Sequence, residues 1–253
     1  MAHYALRMEE GEFFSHVSAA VAWGVPLPAY LVGEDAPLDA SVFWPRRSPR
    51  SRGVRGHAVL SRSATVRVLQ ESGHRVADPA ATWVMLGAVL RHPYDLIAAG
   101  DALIRRPQHP ADPPALATYA ELEAAVAAGR RPGIVALRAA LPCIRDGSAS
   151  RPETWVRLTL VDAGLPEPAL NVDVFEDGRW LGRVDLAYPH LKIALEYEGE
   201  HHVIDPRQWA ADIERYDRLA AAGWRVIRIT KTDLFDAPGR LAARVRAALR
   251  AHS

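Results

Sequence analysis

The sequence predicts an α/β protein, α+β overall, in two parts, and three observations carry the prediction. From Ser150 onward the apolar periodicities run helix, three strands, helix, strand, helix. Residues 191–198 alternate strictly, with Leu191, Ile193, Leu195 and Tyr197 on one face and Lys192, Ala194, Glu196 and Glu198 on the other. The first 145 residues mix β-branched runs with capped, alanine-rich helices. At 253 residues and 49% hydrophobic, the chain is long enough to bury a core in each part.

Within residues 9–24, Phe13, Phe14, Val17, Ala20 and Val21 form a helical stripe that Gly24 and Pro26 end. Residues 41–44 are strand-like, and residues 58–60 and 66–69 return to that character. A β-hairpin or meander is expected there, with the arginine-rich stretch 45–57 as its loop. Arg46, Arg47, Arg50, Arg52 and Arg55 fall within ten positions; guanidinium forks match phosphate oxygens, so these five are candidate nucleic-acid contacts. The alternative is a solvated turn in an arginine-biased proteome, since only Lys192 and Lys231 of the 31 basic residues are lysines. Asp78-Pro79 opens a helix that Trp83, Val84, Leu86, Val89 and Leu90 bury, and a second helix runs from Tyr94 to about Leu103. The proline-rich stretch 107–114 is a loop. Thr118 and Glu121 form a capping box for a helix reaching Gly129, another starts at Pro132, and residues 142–150 are the domain boundary.

In the second part, Ser150-Arg151-Pro152-Glu153 starts a helix ended by Gly164 and Pro166. Strands are expected at 170–175, 180–188, 191–198 and 224–230, with a helix at 207–222 and another after Pro238. A strand reached through a helical crossover joins its sheet in parallel. With Pro189-His190 as the hairpin loop, Tyr188 faces Leu191 and Asp185 faces Ala194, so that Glu196 and Lys192 are both diagonal to Asp185 and Arg183 opposes Glu196. Asp185, Glu196 and Glu198 then crowd one sheet face. Like carboxylates in one site take up protons or recruit a cation, and Mg²⁺ or Mn²⁺ suits their hard oxygens. Such an ion polarises a phosphoryl oxygen and activates water, which points to phosphodiester hydrolysis. The alternative is a surface ladder of ion pairs.

The net charge of +1 predicts no global attraction to nucleic acid, so any anion site is local. Cys143, the single cysteine, excludes an internal disulfide framework and a cysteine-based zinc site. No 18-residue apolar run or leader pattern is present, so a cytoplasmic protein with no membrane partner is expected.

Residues 150–250 resemble the restriction-endonuclease-like PD-(D/E)XK superfamily, and within it a bacterial domain of unknown function allied to the very-short-patch-repair endonucleases. The resemblance rests on Glu153 in the first helix, Asp185 in Arg-Val-Asp-Leu-Ala and Glu196-Tyr-Glu198-Gly followed by His201-His202. It continues through Asp212-Ile-Glu-Arg215-Tyr-Asp217-Arg-Leu and the block from Gly223 to Arg228. The Arg-rich stretch and the Asp78 helix start loosely resemble actinobacterial relatives of abortive-infection antitoxins. The resemblance implies a DNA endonuclease fold in which Asp185 and Glu196 ligate the metal and Glu153 is an outer carboxylate. Glu198 stands where the superfamily has a lysine and would serve as base or ligand. Lys192 is the candidate displaced lysine, and His202, of the histidine pair, a candidate general acid or base.

Against these roles stand plainer ones: Glu153 as a capping-box residue, and Asp212, Arg215 and Asp217 as solvated members of a helix buried through Trp209, Ile213 and Leu219. A DNA-binding or protein-binding regulator without turnover, antitoxin-like and partnered by a toxin, and a structural module built on the alanine-rich helices are the other classes.

Overall fold

Phe13 and Phe14 lie in a strand, not in the helix their spacing suggests. The computed structural model describes residues 1–33, 35–108, 112–199 and 206–252. It divides into two compact units, Met1–Asp146 and Gly147–Ser253. After a short helix α1 (Ala2–Ala5), Phe13–Phe14 forms β1, the middle strand of a five-stranded sheet ordered β3-β2-β1-β5-β4. The other strands of this sheet are β2 (Leu38–Phe43), β3 (Val54–Val59), β4 (Val66–Val68) and β5 (Arg75–Ala77). Both phenylalanines are buried because a central strand is covered on both faces, and a two-sided strand leaves no alternation to read. The helix begins only at His16, as α2 (His16–Ala22).

The arginine-rich stretch is not a hairpin loop. β2 and β3 are parallel, with Leu38 beside Val54 through Phe43 beside Val59, so residues 44–53 form a tight return crossover. The crossover runs close over β3: a Cβ on Gly56 would stand 1.9 Å from the Pro49 carbonyl oxygen. Gly56→Ala is therefore expected to destabilise this unit by about 1–2 kcal/mol through overpacking against backbone that cannot move aside. Chemical denaturation of the two proteins checks this, and equal midpoints would show that the crossover is not pinned.

Helices α3 (Pro79–Leu86), α4 (Pro93–Ile104), α5 (Tyr119–Ala127) and α6 (Ile134–Ala140) complete the unit. The local signals for them hold. Asp78 accepts from the Ala81 N–H at 2.9 Å, and Thr118 with Glu121 makes the full capping box. Trp83 is fully buried, its indole N–H donating to the Leu96 carbonyl at 2.9 Å.

In the second unit, α7 (Arg151–Asp162) leads into a four-stranded sheet of β6 (Ala169–Glu176), β7 (Arg179–Tyr188), β8 (Ile193–Tyr197) and β9 (Arg225–Ile229). The strands lie in that order, antiparallel except for β8 and β9, which are parallel across the crossover helix α8 (Pro206–Ala221). Leu186, Tyr188, Ile193, Leu195, Ile227 and Ile229 pack against Val156 and Leu160 of α7 and against Leu241 and Val245 of the closing helix α9 (Pro238–His252). Ala187 and Ala194 on the other face pack with Leu219 of α8 and with Ala222 just after it. This is the mixed sheet flanked by helices that the sequence predicts.

Candidate functional site

The β7–β8 hairpin has a different register from the one expected. Its turn takes four residues, a 3₁₀ turn at Pro189–Leu191 followed by Lys192 in the left-handed conformation at φ 50°, so Tyr188 pairs with Ile193 and Ala187 with Ala194. Continuing this register by one step sets Asp185 directly opposite Glu196 rather than diagonal to it. A shift of two residues preserves the faces but changes the neighbours. The paired ladder ends at Leu186 and Leu195, and there the Asp185 carboxylate takes over, accepting the Tyr197 N–H at 2.8 Å.

Three further carboxylates are held near it. Glu153, buried at the start of α7, accepts from the Ala149 N–H at 2.8 Å, the Ser150 hydroxyl at 2.8 Å and the Asn171 amide at 2.7 Å. Ser150 caps the helix by accepting the Glu153 N–H, but the Glu153 carboxylate bonds the Ala149 N–H and the Ser150 hydroxyl rather than the Ser150 N–H of a capping box, and it is also a member of the acidic group. Burial, reinforced by the Asp185 charge, pushes its carboxyl up to about 7. Glu196 is also buried, and burial likewise pushes it up to about 7, with Asp185 and Glu198 adding to the rise and Arg215 opposing it. Glu198 accepts from the Arg228 guanidinium and, at 3.1 Å, from the Tyr216 hydroxyl.

Arg215 is the residue that reading the sequence misses. Placed on a helix face expected to be solvated, it instead grips both oxygens of Glu196, at 2.7 and 3.2 Å, and donates to the Arg183 carbonyl at 2.9 Å. Its guanidinium lies over the Tyr216 ring, 4.7 Å from the centroid. Gly182 makes the approach possible: a Cβ there would stand 2.9 Å from Arg215 Cδ, and its φ of +152° also favours glycine. The available signal was the position of Arg215 within the stretch from Asp212 to Leu219 on which the expected resemblance rested, against the amphipathic default.

The other expectations sort plainly. Lys192 lies at the far end of β8, its ammonium donating to the Ala222 carbonyl at 2.9 Å, away from the carboxylates. Arg183 does not oppose Glu196; it pairs with Asp173 across β6 and β7, with Nη2 2.6 Å from Oδ2. His202, with His201, lies outside the described residues. Arg46, Arg47, Arg50, Arg52 and Arg55 are all exposed in the first unit. Arg46 donates to the Glu10 carbonyl, and Arg55 approaches Asp39 at 3.5 Å. No helix among the described residues is long and apolar enough to cross a membrane.

No protein-family profile matches the chain, and no solved structure matches it. It is similar to two uncharacterized proteins of Mycobacterium tuberculosis, one from strain CDC 1551 / Oshkosh and one from strain H37Rv. Each is 36% identical over 180 residues, which is 71% of this chain. The chain spans 63% of the length of these relatives.

Proposed function

We propose that the Gly147–Ser253 unit hydrolyses DNA phosphodiesters with a divalent ion, Mg²⁺ or Mn²⁺. The observation that carries this reading is the direct opposition of Asp185 and Glu196 across β7 and β8, with buried Glu153 beside them. Crowded carboxylates with raised proton affinity are relieved by protons or by a cation, and Mg²⁺ is commonly bound through one or two such groups. The residues fit a hard ion: Asp185 and Glu196 would hold it, once the Arg215 fork yields an oxygen of Glu196. When bound, the ion supplies Lewis acidity and a water of lowered pKa. Glu198, anchored by Arg228 and Tyr216, orients and deprotonates the water, while Glu153 tunes the charge of the group. With Lys192 elsewhere, Arg215 supplies the fixed positive charge that a lysine gives in the PD-(D/E)XK pattern. The exposed arginines at 46–55 contact backbone phosphates.

The test is nicking of supercoiled plasmid and of single-stranded DNA with Mg²⁺ or Mn²⁺. Asp185→Asn and Glu196→Gln are each expected to lower the rate by roughly 100-fold or more, because each removes charge from the group that engages the ion. Cleavage unaffected by Asp185→Asn would sink the assignment.

One observation favours a second reading. Both oxygens of Glu196 are already gripped by Arg215, which neutralises the charge an ion would need. On that reading the chain is a DNA-binding regulator without turnover, with a toxin as its partner class. Wild type and variants that shift DNA equally and cut nothing would select it.

A further inference from the structure

The Met1–Asp146 unit holds a second group of ligand-type side chains, unrelated to the carboxylates of the other unit. Among the described residues it is the one set of three histidine, cysteine or carboxylate side chains whose ligand atoms all lie within 4.8 Å of one another: His16, Asp39 and His57. They come from the first position of α2 and from the adjacent strands β2 and β3. We infer that these three residues bind a divalent transition-metal ion of the zinc class, with a fourth position left for water or a small ligand.

Asp39 is the first support. Its side chain is 1% exposed, yet it is a carboxylate, and its Oδ2 is buried with no hydrogen-bond partner. Oδ1 meets His57 Nε2 at 2.8 Å, while Arg55 comes no nearer than 3.5 Å and is half exposed. A buried carboxylate oxygen left without a partner is costly, and a cation at this point removes the cost. Arg55, reaching solvent, can turn away from an incoming charge.

The two imidazoles are the second. Their rings stack at 3.9 Å between centroids and 22° between planes, a geometry that disfavours two imidazolium charges and suits neutral ligands. The His16 backbone has φ 46°, a left-handed conformation that is strained outside glycine and that sets the ring beside Asp39 and His57. His16 Nδ1 lies 3.0 Å from the Ser15 hydroxyl, which Ser41 in turn holds at 2.7 Å. In the tautomer whose Nδ1–H donates to the Ser15 oxygen, the lone pair sits on Nε2. This is the outer hydrogen bond that orients a metal-ligating histidine.

Two imidazole nitrogens with one carboxylate oxygen favour zinc and its transition-metal neighbours over Mg²⁺ or Ca²⁺. Ligand atoms of a tetrahedral zinc site stand roughly 3.3 Å apart, from bonds of about 2.0 Å. His57 and Asp39 need to separate by only a few tenths of an ångström, and His57, 24% exposed, has room to move. His16 also lines a cavity of about 240 Å³ whose wall includes Arg130 and Arg131, which gives a fourth ligand space and, for an anion, a favourable potential.

The experiment titrates Co²⁺ and then Zn²⁺ into the full chain after chelator treatment, reading heat and the visible Co²⁺ absorption. One equivalent is expected to bind with a ligand-field band that Zn²⁺ abolishes. His57→Ala and Asp39→Asn are each expected to weaken binding by at least about 100-fold, more than loss of an outer-shell partner costs. No stoichiometric binding by wild type, or undiminished binding by both variants, would overturn the site. Should a variant fail to fold, the wild type still decides. Zn²⁺ should protect His16 and His57 from acylation by diethylpyrocarbonate, mapped by mass spectrometry, and equal modification with and without Zn²⁺ would refute the proposal.

Discussion

Replacing Arg215 by alanine is expected to lower the unfolding free energy of the Gly147–Ser253 unit by about 3 kcal/mol. Removing one member of a buried ion pair leaves the other charge uncompensated, and such breaks cost about 3–5 kcal/mol. The lower end applies because the Arg215 side chain remains 19% exposed while that of Glu196 is 7% exposed. Glu196 would lose both of its bonds to the fork and stay beside Asp185 and Glu198, whose charges already disfavour its ionisation. For a domain of this size the loss corresponds to a drop in melting temperature of roughly 10–20 °C. Two companions separate charge from shape. Arg215→Lys keeps the charge without the fork and should fall between wild type and alanine. Pairing Arg215→Ala with Glu196→Leu should recover most of the loss, because the carboxylate left without its guanidinium partner is removed as well. A loss under about 1 kcal/mol in Arg215→Ala would show that the clamp is not what holds this face together.

The same unit is expected to become less stable as pH rises across the range from 4.5 to about 7. Glu153 and Glu196 both have folded-state values raised from 4.5 to about 7, chiefly by burial. A group that binds its proton more tightly in the folded state contributes stability that is fully present below the unfolded value. That contribution is lost as pH climbs through the folded value. The two residues together should cost a few kcal/mol between those limits, since each tenfold gain in proton affinity on folding is worth about 1.4 kcal/mol and the pair shares Asp185 as a neighbour. Asp233, whose carboxyl is lowered chiefly by the Thr230 N–H, acts with the opposite sign and below this window. Urea midpoints at pH 4.5, 6 and 8 measure the trend. Glu153→Gln, which cannot ionise but keeps an oxygen for the Ala149 and Asn171 donors, should flatten it. A wild-type midpoint that stays constant or rises from pH 4.5 to 8 would contradict the arrangement.

What could be read from the sequence follows the range of the forces involved. The helix starts at Asp78, Thr118 and Ser150 were legible because a cap is made by residues three apart. The mixed sheet of the second unit was legible because its alternation and its crossover helix are both local patterns. The parallel pairing of β2 and β3 was not, since a ten-residue connection suggests a hairpin and only the hydrogen bonds between strands decide. The hairpin register was right in face and wrong by two residues, because nothing in Pro189-His190-Leu191-Lys192 announces a left-handed lysine. Arg215 was hidden by amphipathicity, which sends charges to solvent unless a glycine on the facing strand leaves an opening. His16, Asp39 and His57 have no shared spacing at all; a strained backbone and a parallel pairing bring them together.

Gly182 has a meaning for descent as well as for folding. The absence of a side chain there is what lets Arg215 reach Glu196. A lineage that fills position 182 first strands a buried glutamate, whereas one that first replaces Glu196 and Arg215 by apolar residues frees the glycine to drift. The geometry thus favours one order of substitution over the other, and links Gly182, Glu196 and Arg215 across two strands and a helix.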